Sequence, residues 1–302
     1  MTLRLTPHIE GNPAGHTIFF IQGWPDDASI WDDAVAALSG TYRCVRVTLP
    51  NFDGERTTRE GYDTETIVSA LEDVLREVSD RGKVTLVLHD WGCYWGYPLH
   101  NRHQDLVARV AGLDIAPHFK PRGKDVPLIV GYQGWLYAAF AIGGSVGDAM
   151  TRRFAKIAKA PAPTSRVNAG MNYPYRNIFR DLASGRGKAL TKGYWPTCPI
   201  LFAYGADKPY FFHSDVWLDH VRKVGGKVVA VPCGHWVQKH EGFVELLTTW
   251  LDETAAAAGV AVNGQARASG VARVGGVLCA IASLRPHAGG PSATPRAPRS
   301  AA

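Results

Sequence analysis

Six short apolar runs, Thr17 to Ile21, Tyr42 to Thr48, Lys83 to Leu88, Ala108 to Ile115, Pro199 to Tyr204 and Lys227 to Val231, are rich in β-branched and aromatic residues. They read as buried strands. Segments with helical periodicity lie between several of them. In Asp63 to Val78, the residues Ile67, Val68, Leu71, Val74, Leu75 and Val78 make one apolar stripe, which suits a helix packed by one face on a sheet. This alternation predicts an α/β fold, a mostly parallel sheet with helices on both faces. A chain of 302 residues with 46% apolar content can bury a core of that size.

The alternation breaks after Ile115 and resumes near Pro199. The stretch between is basic, aromatic and punctuated by Gly and Pro, with helical pieces such as Asp148 to Lys159. It reads as an inserted helical cap over the C-terminal edge of the sheet, so residues 1–115 and 193–253 are expected to form the core and 116–192 the cap. A last periodic helix, Glu241 to Leu251, should complete the core. Beyond it the chain turns to Ala, Gly, Pro, Ser and Arg, apart from a short apolar run at Val277 to Ile281. Residues 254–302 are therefore expected to be a disordered tail.

The net charge of +6 is unevenly spread. The tail has five Arg and no acid, the cap has thirteen Lys and Arg against three Asp, and the rest of the chain is acidic at −9. Basicity this regional does not point to nucleic acid. In the cap, Met150, Phe154 and Ile157 oppose Arg152, Arg153, Lys156 and Lys159, a pattern that could lie on a membrane surface. A lid helix with a solvated basic face accounts for it as well and is the reading adopted. The five cysteines, Cys44, Cys93, Cys198, Cys233 and Cys279, have no paired spacing, so neither a disulfide framework nor a zinc site is indicated, and no metal or cofactor is expected. Met1 to His16 lacks an apolar run long enough for a signal peptide or a membrane span. The expected setting is cytoplasmic, without stable membrane insertion.

The run Lys83 to Leu88 leads straight into His89-Asp90-Trp91-Gly92, and an aromatic-rich helix follows from about Cys93. A strand, a sharp turn and a helix in this order make a nucleophile elbow. The central residue is Asp90. A carboxylate is ionised at neutral pH and can attack a saturated carbon without a base, giving an alkyl-enzyme ester. Upstream, Gln22-Gly23-Trp24-Pro25 ends the first confident strand, which would set the Trp24 backbone N–H beside that of Trp91 as an oxyanion hole. Downstream, Cys233-Gly234-His235-Trp236 follows the last strand and offers His235 as the base that activates water.

Across roughly residues 15 to 252 these features resemble the α/β-hydrolase superfamily, and within it the epoxide hydrolases and haloalkane dehalogenases that use an Asp nucleophile. Trp91 is similar to a halide-binding residue of dehalogenases, for which Trp24 or Trp135 would supply the second N–H. Tyr132-Gln133 and Met171-Asn172-Tyr173-Pro174-Tyr175-Arg176-Asn177 look like the two lid segments from which epoxide hydrolases project tyrosines at the epoxide oxygen. The resemblance thus implies Tyr132 and Tyr175 as proton donors, although Tyr97, Tyr137 and Tyr173 compete for the role. Two positions depart from the epoxide hydrolase pattern, Gln22 where His is usual and Leu88 where a small residue is usual. Gln22 is grouped with Trp24, Trp91 and Trp135 as a candidate oxyanion or substrate-binding residue.

Two carboxylates compete to be the acid behind His235. Asp207, in Tyr204-Gly205-Ala206-Asp207-Lys208, fits the chain order nucleophile, acid, His and is preferred. Asp114, in Gly112-Leu113-Asp114-Ile115, closes the strand after the elbow helix, where some dehalogenases place their acid. His89, His100, His103, His118, His213, His220 and His240 are assigned no catalytic role. Three readings follow. The first is an epoxide hydrolase acting on a small apolar or amphipathic substrate, the second a haloalkane or haloacid dehalogenase, and the third a non-catalytic binding protein, prompted by Gln22 and Leu88.

Overall fold

Each of the six apolar runs forms a strand in the structure, a computed structural model that describes residues 3–56, 58–185 and 193–260. In chain order the strands are β1 (His8–Gly11), β2 (Thr17–Ile21), β3 (Arg43–Val47), β4 (Val84–His89), β5 (Val107–Leu113), β6 (Ile200–Gly205) and β7 (Lys227–Val231). The extra strand, β1, is exposed along its length and has no apolar alternation to announce it. The sheet order is β1-β3-β2-β4-β5-β6-β7, antiparallel between β1 and β3 and parallel elsewhere. β2, β4 and β5 are buried throughout, as central strands covered on both faces must be.

Among the described residues the α-helices are α1 (Asp32–Leu38), α2 (Thr64–Val78), α3 (Trp91–Arg102), α4 (Val126–Ile142), α5 (Gly144–Ile157), α6 (Tyr173–Ala183), α7 (Asp215–Lys223) and α8 (Phe243–Glu253). Alternate residues of β2 feed two core layers. Phe19 and Ile21 pack with α2, α3 and α7, while Ile18 and Phe20 pack with α1 and α8. The stripe expected on α2 is buried throughout, and Asp63 caps the helix by accepting the Thr66 N–H at 2.8 Å.

Between β5 and β6 the chain leaves the sheet to form α4, α5 and α6. The helix expected at Asp148 begins earlier, at Gly144. Helix α4 has no charged residue, and its buried side, with Ile129, Leu136 and Ala139, faces the rest of the chain. None of the helices among the described residues is long and apolar enough to cross a membrane.

The chain does not loosen at residue 254. Buried Arg109 donates to the Leu251 carbonyl at 2.5 Å and to Thr254 Oγ1 at 2.8 Å, and Ala255 is buried. A guanidinium desolvated inside a strand takes up the Leu251 carbonyl and the Thr254 hydroxyl at the end of α8, and residues 254–259 continue as turns rather than joining the expected tail. Residues 261–302, the rest of that tail, and 186–192 of the expected cap lie outside the described residues.

Candidate active site

In a parallel sheet all strands present their C-terminal ends on one edge, so residues distant in sequence meet there. Asp90 follows β4 with φ of 51°, in the left-handed region that side chains rarely adopt. Two glycines make room for it. A Cβ on Gly92 would lie 2.2 Å from the Ile21 carbonyl, and one on Gly23 would lie 2.5 Å from the Asp90 Cβ. Leu88 is accommodated in the same way, because its side chain fills the space above Gly96 of α3, where an added Cβ would come within 2.6 Å of it.

The Asp90 carboxylate accepts the Trp24 backbone N–H at 2.8 Å on Oδ2, and the Trp91 N–H also stabilises it. His235 Nε2 lies 3.4 Å from Oδ1. Burial alone would raise the Asp90 pKa, but the bond and charge of His235 outweigh it and hold the carboxyl below its usual range.

His235 is brought in by tight backbone packing. A Cβ on Gly205, the last residue of β6, would lie 1.8 Å from the Gly234 carbonyl, so only glycine lets the His235 loop close on the strand. The ring's Nδ1 is 2.5 Å from Asp114 Oδ2. Asp114 is fully buried, also at positive φ, 71°, and accepts the Gly205 N–H at 3.0 Å. Lys208 Nζ completes its shell at 2.6 and 2.5 Å from the two oxygens.

The preference for Asp207 is therefore corrected, since its side chain is exposed and only its backbone N–H is engaged, by the Cys233 carbonyl. The lysine beside it reaches inward instead. Burial would lift the Asp114 pKa, but Lys208 and His235 overcome it and depress it far below the carboxylate range. For His235, burial disfavours the charge, yet Asp114 and Asp90 prevail and raise its pKa to about 9.

A cavity of about 370 Å³ opens over Asp90, and Tyr132 of α4 and Tyr175 of α6 line it. Their rings meet edge to face at 6.2 Å, and Tyr175 stands edge-on to Trp91 at 5.2 Å. Burial holds both phenols well above their ordinary pKa, so they stay protonated at neutral pH. The wall is otherwise mostly apolar, with Ile115, Phe119, Ile178, Leu182 and Phe212, and Asp90 is the one charged side chain among its lining residues.

Two expected contributors lie elsewhere, and a third serves the site by its backbone alone. Gln22 turns from the site to pair with β3, its amide nitrogen donating to the Val47 carbonyl at 2.7 Å and its oxygen accepting the Leu49 N–H at 2.8 Å. Trp135 is 41% exposed on the outer face of α4 and donates its indole N–H to the Met150 carbonyl at 3.1 Å. The Trp24 backbone serves the site, but its indole N–H is taken by Asn172 Oδ1 at 2.8 Å. The competing tyrosines are absent from the cavity wall. Tyr97 donates to the Ile115 carbonyl, Tyr137 is exposed and Tyr173 packs against Phe52.

Other residues join the site without having been singled out. Lys208 is one, and Tyr210, stacked on Tyr132 at 6.3 Å, is another. His89 is buried behind His235, with Nε2 3.1 Å from the His235 carbonyl and Nδ1 3.0 Å from Gln238 Nε2. The aromatic run Tyr210-Phe211-Phe212 was the only sequence signal that could have flagged Tyr210. No cluster among the described residues has the make-up of a metal site.

The sequence model of the alpha/beta hydrolase family matches residues 18–246, most of the chain and every residue placed at the site. The chain belongs to the alpha/beta hydrolase family. Over 119 residues, 39% of this hydrolase, it is 27% identical to the soluble epoxide hydrolase of Corynebacterium sp. (strain C12), of which the match covers 41%. It is 33% identical over 107 residues to a haloalkane dehalogenase of Mycolicibacterium smegmatis, 33% of either chain. The matched stretch thus spans well under half the length of these relatives. In structure the hydrolase is similar to haloalkane dehalogenase DbeA of Bradyrhizobium elkani, with a TM-score of 0.64 over 85% of this chain and 97% of that one at 16% identity, a likeness of fold.

Proposed function

We propose that this hydrolase opens epoxides to vicinal diols. The observation that carries the reading is the pairing of Tyr132 and Tyr175 in one apolar cavity with Asp90. Asp90 attacks an oxirane carbon, the C–O bond breaks, and the oxygen takes a proton from a tyrosine as it becomes an alkoxide. A phenol with raised pKa is a poor free acid but a well-placed partner for so basic an oxygen. His235 then removes a proton from water, which adds to the ester carbonyl. The oxyanion is held by the Trp24 and Trp91 N–H groups, and as it collapses the imidazolium returns its proton to the departing alkoxide. The proton of the resulting Asp90 acid passes to the tyrosinate, so that the diol leaves with Asp90 and the tyrosine restored.

Dehalogenation is the second reading, favoured by Trp91 next to the nucleophile and by Asp114, which follows β5. What supports the epoxide over the halide is the count of free donors. The Trp24 indole N–H is spent on Asn172 and that of Trp135 on Met150, which leaves Trp91 without the second indole a halide would need. A haloacid fits less well still, because the lining has no cation for its carboxylate. A purely binding role has less support, because it leaves the approach of His235 to Asp90 at 3.4 Å and to Asp114 at 2.5 Å without a use.

The test is single turnover in H₂¹⁸O with a panel of aryl and alkyl epoxides. The label should enter Asp90 and appear in diol on the next turnover, and Asp90→Ala should turn over none of the panel. Halide release from haloalkanes with no epoxide opened would move the second reading to first.

A further inference from the structure

We infer that Lys208 acts through Asp114 as a positioning residue, cancelling the Asp114 charge so that His235 can give up its proton and serve as base once Asp90 has become an ester. The inference rests on the ester mechanism proposed above, though on no particular leaving group.

Asp114 is fully buried and the Lys208 side chain is 9% exposed, so the two meet with little water between them. The ammonium lies 2.6 and 2.5 Å from the two carboxylate oxygens, and one of these, Oδ2, is also the oxygen that His235 Nδ1 approaches at 2.5 Å. A single carboxylate therefore serves two cations. This arrangement addresses a problem the triad would otherwise have. In the resting enzyme two carboxylates flank the imidazole, Asp90 and Asp114, and together they hold it protonated. A protonated ring suits the first half of the reaction, which needs no base. The second half needs the ring neutral. Esterification removes the Asp90 charge, but an unopposed Asp114 would still hold the imidazolium. With Lys208 in place, Asp114 and its ammonium are jointly neutral, and the ring loses its proton to solvent water before it acts as base.

The other groups around the cluster do not duplicate this. His89, stacked 4.7 Å from His235, is kept neutral by burial, its pKa lowered to about 4. Asp26 is buried beyond Trp236, and Tyr210, Cys233 and His213 are held in their neutral forms near neutral pH. Asp207 is exposed. Around Lys208 itself the remaining contacts are the rings of Phe211 at 5.9 Å and Phe212 at 5.3 Å. Lys208 is thus the cation in contact with Asp114 besides His235.

Two measurements test the inference. In rapid-quench single turnovers with any substrate that esterifies Asp90, Lys208→Gln keeps a donor near Asp114 but loses the charge. Its ester should accumulate at pH 7, and the acid limb of ester hydrolysis should move up by about 1 to 2 pH units. Lys208→Arg should retain the wild-type limb, and Lys227→Gln, which breaks an exposed ion pair with Glu253, should as a control leave it in place. A slower hydrolysis with an unmoved limb would mean a merely structural role and overturn the inference. The second measurement needs no substrate and no change at Lys208. In Asp90→Asn, which mimics the neutral ester, ¹⁵N-histidine NMR should find His235 neutral by pH 7, whereas an imidazolium persisting at pH 8 would overturn the inference. If no epoxide or haloalkane reacts at all, the functional proposal fails while the NMR result still stands or falls by itself.

Discussion

The Trp24 indole N–H donates to Asn172 Oδ1 at 2.8 Å, joining the oxyanion loop after β2 to the insertion between β5 and β6. Asn172 in turn donates to Thr151 Oγ1 at 2.7 Å, so a buried chain of polar contacts crosses from the sheet edge to α5. Fully satisfied networks of this kind fix the relative placement of the elements they join. Asn172→Leu would leave the indole N–H unpaired in a dry interior, while the threonine hydroxyl keeps its bond to the Gly147 carbonyl at 2.8 Å. The expected cost is about 1 to 3 kcal/mol, or a melting point lower by roughly 3 to 10 °C. Calorimetry of the variant checks this, and an unchanged melting point would show the contact to be dispensable.

Leu88 and Gly96 are a complementary pair, and their exchange of volume explains how an elbow tolerates a large residue before the nucleophile. Gly96→Ala should cost about 1 to 3 kcal/mol by forcing the Leu88 side chain from its site. Leu88→Ala alone opens a cavity and should cost about 2 to 5 kcal/mol. The double variant should be less destabilised than the sum, since each change relieves the other. Denaturant unfolding of the four proteins gives the coupling directly, and simple additivity would mean that the two side chains do not compete for space.

The acid of the triad can be assigned by two conservative changes. Asp114→Asn removes the charge behind His235 and should slow ester hydrolysis by roughly 10² to 10⁴-fold, with the alkyl-enzyme accumulating. Asp207→Asn, at an exposed position, should leave the same step within about twofold of wild type. Intact-mass spectrometry of quenched reactions reads both. Ester build-up in the Asp207 variant and none in the Asp114 variant would reverse the assignment.

That choice also marks how far the sequence could be read. The core strands and the helix Asp63 to Val78 were legible because burial on both faces and on one face leave different patterns of apolar residues. Asp90 and His235 were legible because strand ends followed by turns place a residue on the sheet edge whatever the side chain does next. Direction was not legible. Gln22, Asp207 and Trp135 all belong to the right elements, yet Gln22 turns to β3, Asp207 to solvent and Trp135 to the outer face of α4. Asp114 wins the place beside His235 through contacts that no local pattern encodes, the glycine-to-glycine approach of Gly205 and Gly234 and the inward reach of Lys208. β1 escaped notice for a simpler reason. An exposed edge strand has little apolar pattern to show.

Asp26 supplies a prediction about pH and stability. It is 1% exposed, its Oδ2 accepts the Trp236 indole N–H at 2.7 Å, and its Oδ1 has no hydrogen-bond partner. Burial raises its pKa to about 7, well above the ordinary carboxylate range, and the nearby Asp90 charge adds to the effect. Below the unfolded value both states carry the proton, so the contribution to stability is fully present there. As pH rises toward 7 the unfolded chain ionises while the folded one holds its proton, and stability is lost across that window by an amount on the order of 4 kcal/mol. His16, His89, His100 and His213, each lowered to about 4 by burial, act in the opposite sense between pH 4 and 6.5. They are common to wild type and variant and drop out of the difference. Asp26→Asn keeps a carbonyl for Trp236 and cannot ionise, so it should melt close to wild type at pH 4 and several degrees higher at pH 8. A melting-point difference that stays constant from pH 4 to 8 would show that Asp26 does not titrate in this range.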